Sequence, residues 1–385
     1  MNGRIDLPAV QQAAHAVPTS RVDFDRHVVS ILGLPFDAIG VAQAVQRIRD
    51  DAFAGRRCVV STPNLNFAIA ARTDAAFRDT VLRSDLSLVD GMPLVWIARL
   101  LGLPIRERVS GADVFEALQA HAGPPLGVYL FGGLPGVAER ACERINQRGG
   151  GMRCVGFETP GFGSIESMSE AAMIGRINDS GAHFVVLSLG AKKGQAWIEH
   201  NAPRLTAPVL SHLGAVLNFA AGSLQRAPAW MQSCGLEWLW RIKEEPGLWR
   251  RYGSDGLRAA QLLPTRVLPD ALASRSTRQV SGDVPPRLER HAAANGVTLA
   301  LHGAWRDDDL PALCSVLKQL ADGEAGPVSI DLTAAETLDS AVIGTLLLAS
   351  GWFRSRAGFD VVGASDRMRT AFRRQLVEQT LLRIA

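Results

Sequence analysis

The residues best placed for chemistry lie in Asp85-Leu86-Ser87-Leu88-Val89-Asp90-Gly91-Met92-Pro93-Leu94-Val95-Trp96. Asp90 is the only charged residue between Asp85 and Arg99. An apolar run ends on it, Gly91 follows, and helical spacing resumes at Met92. The pattern predicts a short buried strand that turns through glycine into a helix. In parallel α/β sheets, ligands bind beyond the carboxyl ends of strands, often at helix N-termini. A carboxylate there is placed for work rather than for solubility, although aspartate before glycine is also ordinary turn and cap chemistry. Thr62 and Asn64 occupy a similar junction after the β-rich run Arg57–Ser61, where they offer a hydroxyl and an amide or a helix cap. Gly132 and Gly133 end the strand Leu126–Phe131; bare backbone there can approach a phosphate, and tight packing explains it as well. Lys192, Lys193 and Gln195 follow the strand Phe184–Leu189 and suit either an anionic ligand or solvent. Arg108 stands in a polar loop, Arg106 to Asp113.

The elements that must position these groups alternate. Apolar β-rich runs begin near Val28, Arg57, Leu86, Leu126, Arg153, Phe184 and Val209, and helical spacing separates them. Alternation with glycine at strand ends predicts an α/β fold: a doubly wound, Rossmann-like, mostly parallel sheet. No G-x-G-x-x-G follows the first strand, which argues against a nucleotide-dependent oxidoreductase.

The 385 residues exceed one ordinary core and imply two domains with connecting pieces. A hydrophobic share of 47% with 21% charged is globular rather than disordered, and a net charge of +3 makes no global case for nucleic acid. The five cysteines are scattered and form no CxxC, which predicts a reducing compartment with neither a disulfide frame nor a zinc site. No signal-peptide pattern opens the chain, and no apolar run reaches the ~18 residues of a spanning helix. Membrane contact, on this reading, is peripheral. Asp23-Phe24-Asp25 has the DxD form of metal sites in sugar-nucleotide enzymes but lies outside any strand–turn context, so it reads as a solvated entry segment.

Composition changes after Gly222. Residues 223–252 hold Trp230, Trp238, Trp240 and Trp249, half of the chain's eight tryptophans, with Arg226, Arg241, Lys243, Arg250 and Arg251. Tryptophan and arginine on short helices suit a membrane interface, a lid whose arginines reach a diphosphate, or a packed core helix. Residues 259–292 read as a Pro-rich linker. A small α/β unit follows, with strands at Val297, Val328 and Phe359 and a long apolar helix from Ala341 to Arg354.

The ordered motifs Thr62-Pro63-Asn64, Val89-Asp90-Gly91, Arg108-Val109-Ser110-Gly111-Ala112-Asp113, Phe131-Gly132-Gly133, Leu189-Gly190-Ala191, Arg226-Ala227-Pro228-Ala229-Trp230-Met231, Gly235-Leu236-Glu237-Trp238 and Arg250-Arg251-Tyr252 resemble the WecG/TagA/CpsF glycosyltransferases. The resemblance spans roughly residues 28–255. It implies a metal-independent inverting hexosyltransferase of bacterial polysaccharide or exopolysaccharide biosynthesis, with no cofactor. The implied partners are a nucleotide-sugar donor (N-acetylmannosamine-type, mannose or related), a polyprenyl-diphosphate-linked acceptor and the inner face of the cytoplasmic membrane. Asp90 becomes the general base. Thr62 and Asn64 orient hydroxyls, and Arg108 holds phosphate or leaving-group charge. Gly91, Gly132, Gly133, Lys192, Lys193 and Gln195 become substrate-binding candidates, with Arg226, Arg241 and Arg250 on the diphosphate.

Two departures stand out. The family's G-x-P-K-Q-E-x-W is here Gly190-Ala191-Lys192-Lys193-Gly194-Gln195-Ala196-Trp197, and a family aspartate is Asn218. They motivate an alternative: a non-catalytic sugar-nucleotide-binding regulator. Ile330-Asp331-Leu332 with Leu338-Asp339-Ser340-Ala341-Val342-Ile343-Gly344 resembles a STAS domain, in which Ala341 replaces the phosphorylated serine and Ser340 reads as the helix N-cap. That resemblance implies a docking module. The expected division is a tail (1–27), the transferase domain (28–222), a Trp/Arg-rich appendage (223–258), a linker (259–295) and the STAS-like domain (296–385). The sequence leaves open a protein partner for the STAS-like unit and a homo-oligomer.

Overall fold

The computed structural model describes residues 2–3, 17–18, 21–279, 284–293, 296–323 and 326–382; most of the N-terminal tail and part of the expected linker lie outside them. The first strands in chain order are β1 (Asn2–Gly3), β2 (Val28–Ile31), β3 (Leu34–Asp37), β4 (Cys58–Ser61), β5 (Leu86–Ser87), β6 (Leu126–Gly132), β7 (Met152–Glu158), β8 (Phe184–Ser188) and β9 (Val209–His212). Seven of them form one sheet in the order β1-β7-β6-β8-β9-β4-β5, all parallel except β1. β6 and β9 are buried along their whole length, as strands with helices on both faces must be. The doubly wound α/β reading stands.

β2 and β3 form a separate hairpin. Its turn residues Leu32 and Gly33 both have positive φ, 51° and 87°, as a two-residue turn matched to strand twist requires. The compact chain begins before this hairpin. Phe24 is fully buried and stacks on Phe353, and the Arg26 guanidinium makes a buried two-point pair with Asp37 (2.9 and 2.6 Å). Asp23 pairs with Arg47 and Asp25 with Lys318, so the DxD segment is an anchored entry rather than a freely solvated one.

The first part of the segment expected as a linker, up to Gln279, is helical, and the strand Arg287–Ala293 begins within its last part. Trp249–Leu262 runs into a π-helical turn, Leu263–Val267, and then a helix, Leu268–Gln279. Pro264 and Pro269 lie inside this continuous run, where each lacks an N–H to donate, and the π-helical turn falls at Pro264. Burial of Leu262, Val267 and Ala271 against the protein holds the run together.

Cys142 and Cys154 form a disulfide (S–S 2.04 Å), against the expectation of none. The helix Val137–Arg148 folds back through Gly149 onto β7 and brings the Cα atoms to 5.2 Å. Scattered spacing in sequence conceals such helix-on-strand pairs.

The C-terminal unit contains β10 (Arg287–Ala293), β11 (Gly296–Trp305), β12 (Val328–Asp331), β13 (Ala335–Leu338) and β14 (Phe359–Val362). The order is β10-β11-β12-β14, with β13 beside the end of β11. Asp339, not Ser340, caps the long helix Ser340–Arg354: its carboxylate accepts the N–H of Ala341 and of Val342, both at 2.9 Å. Ser340 is turned instead toward β2, where its hydroxyl accepts Ser30 N–H (3.0 Å) and donates to Ser30 O (2.9 Å). The helix is buried nearly all round, and one apolar core runs from Val28, Val29, Ile31 and Phe36 into Leu299, Ile330, Val342 and Leu346. The C-terminal unit is therefore fused to the N-terminal domain through a shared core.

Candidate active site

Asp90 follows β5 on an extended stretch held by backbone bonds: its N–H reaches Pro63 O (3.1 Å), and Val109 N–H reaches Val89 O (2.8 Å). Gly91 has φ +117° and opens the helix Met92–Leu101, so the carboxylate sits just before a helix N-terminus. It lines a cavity of about 430 Å³, within the ~300–1,000 Å³ usual for small-molecule sites. Thr62 and Asn64 after β4, Leu189 to Ala191 after β8, and His212 to Val216 after β9 complete the strand-end wall. Asn64 also caps the helix Leu65–Ala71 by accepting Phe67 N–H (3.2 Å), so both of its readings hold for one side chain.

The opposite wall is the appendage. Glu237, Trp238 and Arg241 of the helix Glu237–Glu244, and Arg251, Tyr252 and Asp255 of the next helix, face the strand ends. Asp255 is buried and accepts the Asn66 amide (3.0 Å), which ties this lid to the first wall. Gly235, at φ +72°, packs so closely on the Asp90 helix that a Cβ there would lie 2.8 Å from Met92 Cβ. Arg108 ties this wall to the strand-end side: it donates to Glu237, to Gln232 (3.3 Å) and to Asp113 (3.3 Å).

Burial pushes the Asp90 carboxyl up to about 7; Arg108 pulls it down, and Glu237 and Asp113 push it further up. Part of its surface still faces the cavity, so protein excludes most bulk water while leaving the oxygen reachable. A carboxylate poised near neutrality suits proton abstraction. Burial raises Asp113 too, but the Ser110 hydroxyl, Arg108 and Arg226 outweigh it and hold Asp113 below the usual range.

Not every candidate reaches the cavity. Arg226 is held by Asp113 and by Glu116 (2.6 Å), outside the cavity wall. Arg250 lies over Trp249, while its neighbour Arg251 lines the site. Lys192 pairs with Asp74 (2.7 Å), Lys193 donates to Gly163 O (2.7 Å), and Gln195 is buried against Ser61 (2.8 Å). Gly132 and Gly133 have φ of +102° and +81°; a Cβ at 132 would lie 2.6 Å from Ser188 O, which also takes the Gly133 N–H (3.0 Å). Packing accounts for that glycine pair. Asn218 is likewise absent from the cavity lining. Among the described residues no cluster of three His, Cys, Asp or Glu side chains could hold a metal.

Sequence reasoning missed His212. Its ring lines the cavity, burial lowers it to about 4, and Nε2 meets Leu189 O at 2.9 Å, so it is neutral at physiological pH. A Cβ on Gly194 would lie 2.3 Å from His212 Cδ2. The imidazole thus fills the space that a side chain at 194 would need, which explains glycine there. Gly194→Gln is expected to lower Tm by several degrees, at the ~1–3 kcal/mol typical of overpacking. The double variant with His212→Gly is expected to recover most of the loss; thermal melts of the four proteins check it.

With this geometry in view, the comparisons decide the family. The WecG/TagA/CpsF glycosyl transferase family matches residues 29–271. The chain belongs to this family. An N-acetylglucosaminyldiphosphoundecaprenol N-acetyl-beta-D-mannosaminyltransferase of Bacillus subtilis (strain 168) is 29% identical over 196 residues, 50% of this chain and 74% of that protein. A protein of the same description from Bacillus spizizenii is 25% identical over 202 residues, 52% of this chain and 76% of the relative. The Mlab STAS domain family matches residues 289–383. This WecG/TagA/CpsF glycosyltransferase therefore carries a STAS domain behind its transferase region, and the cavity lies wholly within the part that the first family covers.

Proposed function

We propose that this glycosyltransferase moves a hexosyl group, of the N-acetylmannosamine type as in the named activity of its relatives or a related sugar, from a nucleotide donor to a sugar on a polyprenyl diphosphate. The observation that carries the reading is Asp90, raised to about 7, sharing one cavity with Arg108, Arg241 and Arg251 under a lid. Asp90 takes the proton of the acceptor hydroxyl as its oxygen attacks the anomeric carbon. The bond to the leaving nucleoside diphosphate breaks on the opposite face, with inversion. Fixed arginines absorb the charge that develops on that diphosphate. The acceptor's lipid supplies the reason for exposed aromatic surface on the lid, where Trp230 is 62% and Trp249 58% exposed. Among the described residues no helix is long and apolar enough to cross a membrane, so contact through these tryptophans would be peripheral.

The test supplies purified protein with UDP- and GDP-sugars and a lipid-diphosphate saccharide, read by mass spectrometry of the lipid. Donor binding by calorimetry with no turnover for any donor would favour the regulator instead. For the membrane contact, Trp230→Ser with Trp249→Ser is expected to weaken co-sedimentation with anionic vesicles at least fivefold. It should leave transfer to a short-chain, detergent-soluble acceptor within about twofold. Undiminished vesicle binding would remove the lid from the contact.

A further inference from the structure

We infer that the STAS domain acts as a brace for the strand that carries Asp90, with Asp37 as the positioning residue that joins the two. β5 is the last strand of the main sheet and only two residues long. On its inner side it pairs with β4; on its outer side, among the described residues, no further strand receives the Ser87 N–H. That N–H is taken by Asp37 Oδ2 at 2.6 Å, three residues before Asp90. Asp37 ends β3 and is itself locked by Arg26, whose Nη1 donates to Ser84 O (2.8 Å), at the entrance to the same strand. A buried charge held by several donors is a rigid fixture, because each displaced bond leaves an unpaired polar group in a dry site.

The hairpin bearing Asp37 is in turn set by the STAS domain at three places. Ser340 exchanges two hydrogen bonds with the Ser30 backbone. Gly344 lies against Val28, where a Cβ would come within 3.1 Å of Val28 O. At the hairpin tip, a Cβ on Gly33 would lie 2.8 Å from Leu376 O. A neighbouring contact repeats the device: a Cβ on Gly351 would lie 2.6 Å from Leu82 O, at the end of the helix that leads into β5. The side of the STAS helix that bears Ser340 thus has its occupant within the same chain. The inference predicts that loosening this seam loosens residues 86–90 without touching the cavity wall.

The inference extends the proposed role of Asp90, and its test separates the two. Ser340→Ala and Gly344→Ala are made in the full chain, neither residue lying in the cavity wall. Hydrogen exchange of the Leu86–Asp90 segment is read by mass spectrometry, alongside kcat and donor Kd. We expect exchange there to quicken at least tenfold in one or both variants, with kcat down at least fivefold and donor Kd within twofold. Unchanged exchange at 86–90 in both variants overturns the brace, whatever happens to turnover. Faster exchange with wild-type kcat overturns the positioning role and leaves Asp90 untouched, since the base is tested separately by Asp90→Asn. Should Gly344→Ala fail to fold, Ser340→Ala carries the test, since it removes two hydrogen bonds and adds no bulk.

Discussion

Asp90→Asn is expected to lower kcat by three orders of magnitude or more while making the protein harder to unfold. The first effect follows from removing the proposed base, since asparagine fills the same space but cannot accept the acceptor's proton. The second follows from linkage. Burial raises the folded carboxyl from an ordinary 3.8 to about 7. Between those values the native state holds a proton that the unfolded state has released. Stability is therefore lost as pH rises from about 4 to 7, and the full penalty stands above 7. Its upper size is on the order of 4 kcal/mol, less what the partly open cavity returns through water. Asparagine never ionises, so the Tm gap between variant and parent should be near zero at pH 4, open through pH 5–7 and stay constant above. Wild-type turnover should rise about tenfold per pH unit below 7 and level off beyond. A variant that turns over like the parent, or a turnover profile flat from pH 5 to 8, would falsify the assignment.

Arg108→Ala carries the second large expectation. Arg108 is the cation nearest in effect to Asp90, heading the charges that hold its carboxyl down, and Glu237 heads those that push it up. Losing fixed positive charge at a leaving diphosphate costs about 10²–10³ in rate, by analogy with a lost oxyanion donor. The pH profile gives a sharper reading. Without Arg108, the ascending limb should move above 7, because Asp90 then faces Glu237 and Asp113 uncompensated. Glu237→Gln should move the same limb below 7. Glu237→Gln also frees the Arg108 guanidinium from the lid, so donor KM should fall even if the lid becomes looser. Limbs that stay put in both variants would mean that Arg108 and Glu237 serve only to fasten the lid.

The layered fold was legible because its signals are local and repeated. Each buried strand reads as an apolar run, each turn as a glycine, and Thr62, Asn64 and Asp90 fall at strand ends where parallel sheets place ligands. Asp339 shows the limit of such reading. Either Asp339 or Ser340 satisfies the cap pattern, and what assigned the cap to aspartate was the pull of Ser30 on the serine hydroxyl from some 310 residues away. Pro264 and Pro269 misled in the opposite direction: they punctuate a linker in composition, yet buried neighbours keep that run helical.

By itself, then, the sequence determined the sheet, the strand-end address of the catalytic candidates and the presence of a second α/β unit, all of which follow from hydrophobic periodicity. Which arginines meet the cavity was settled in three dimensions. Arg226 is claimed by Asp113 and Glu116, Arg250 lies over a tryptophan, and Arg251 lines the site instead. The Cys142–Cys154 bridge, the His212 ring lodged over Gly194 and the STAS helix seated on β2 are also tertiary. Each depends on two segments distant in sequence meeting at van der Waals range, and neither segment alone carries a mark of the other.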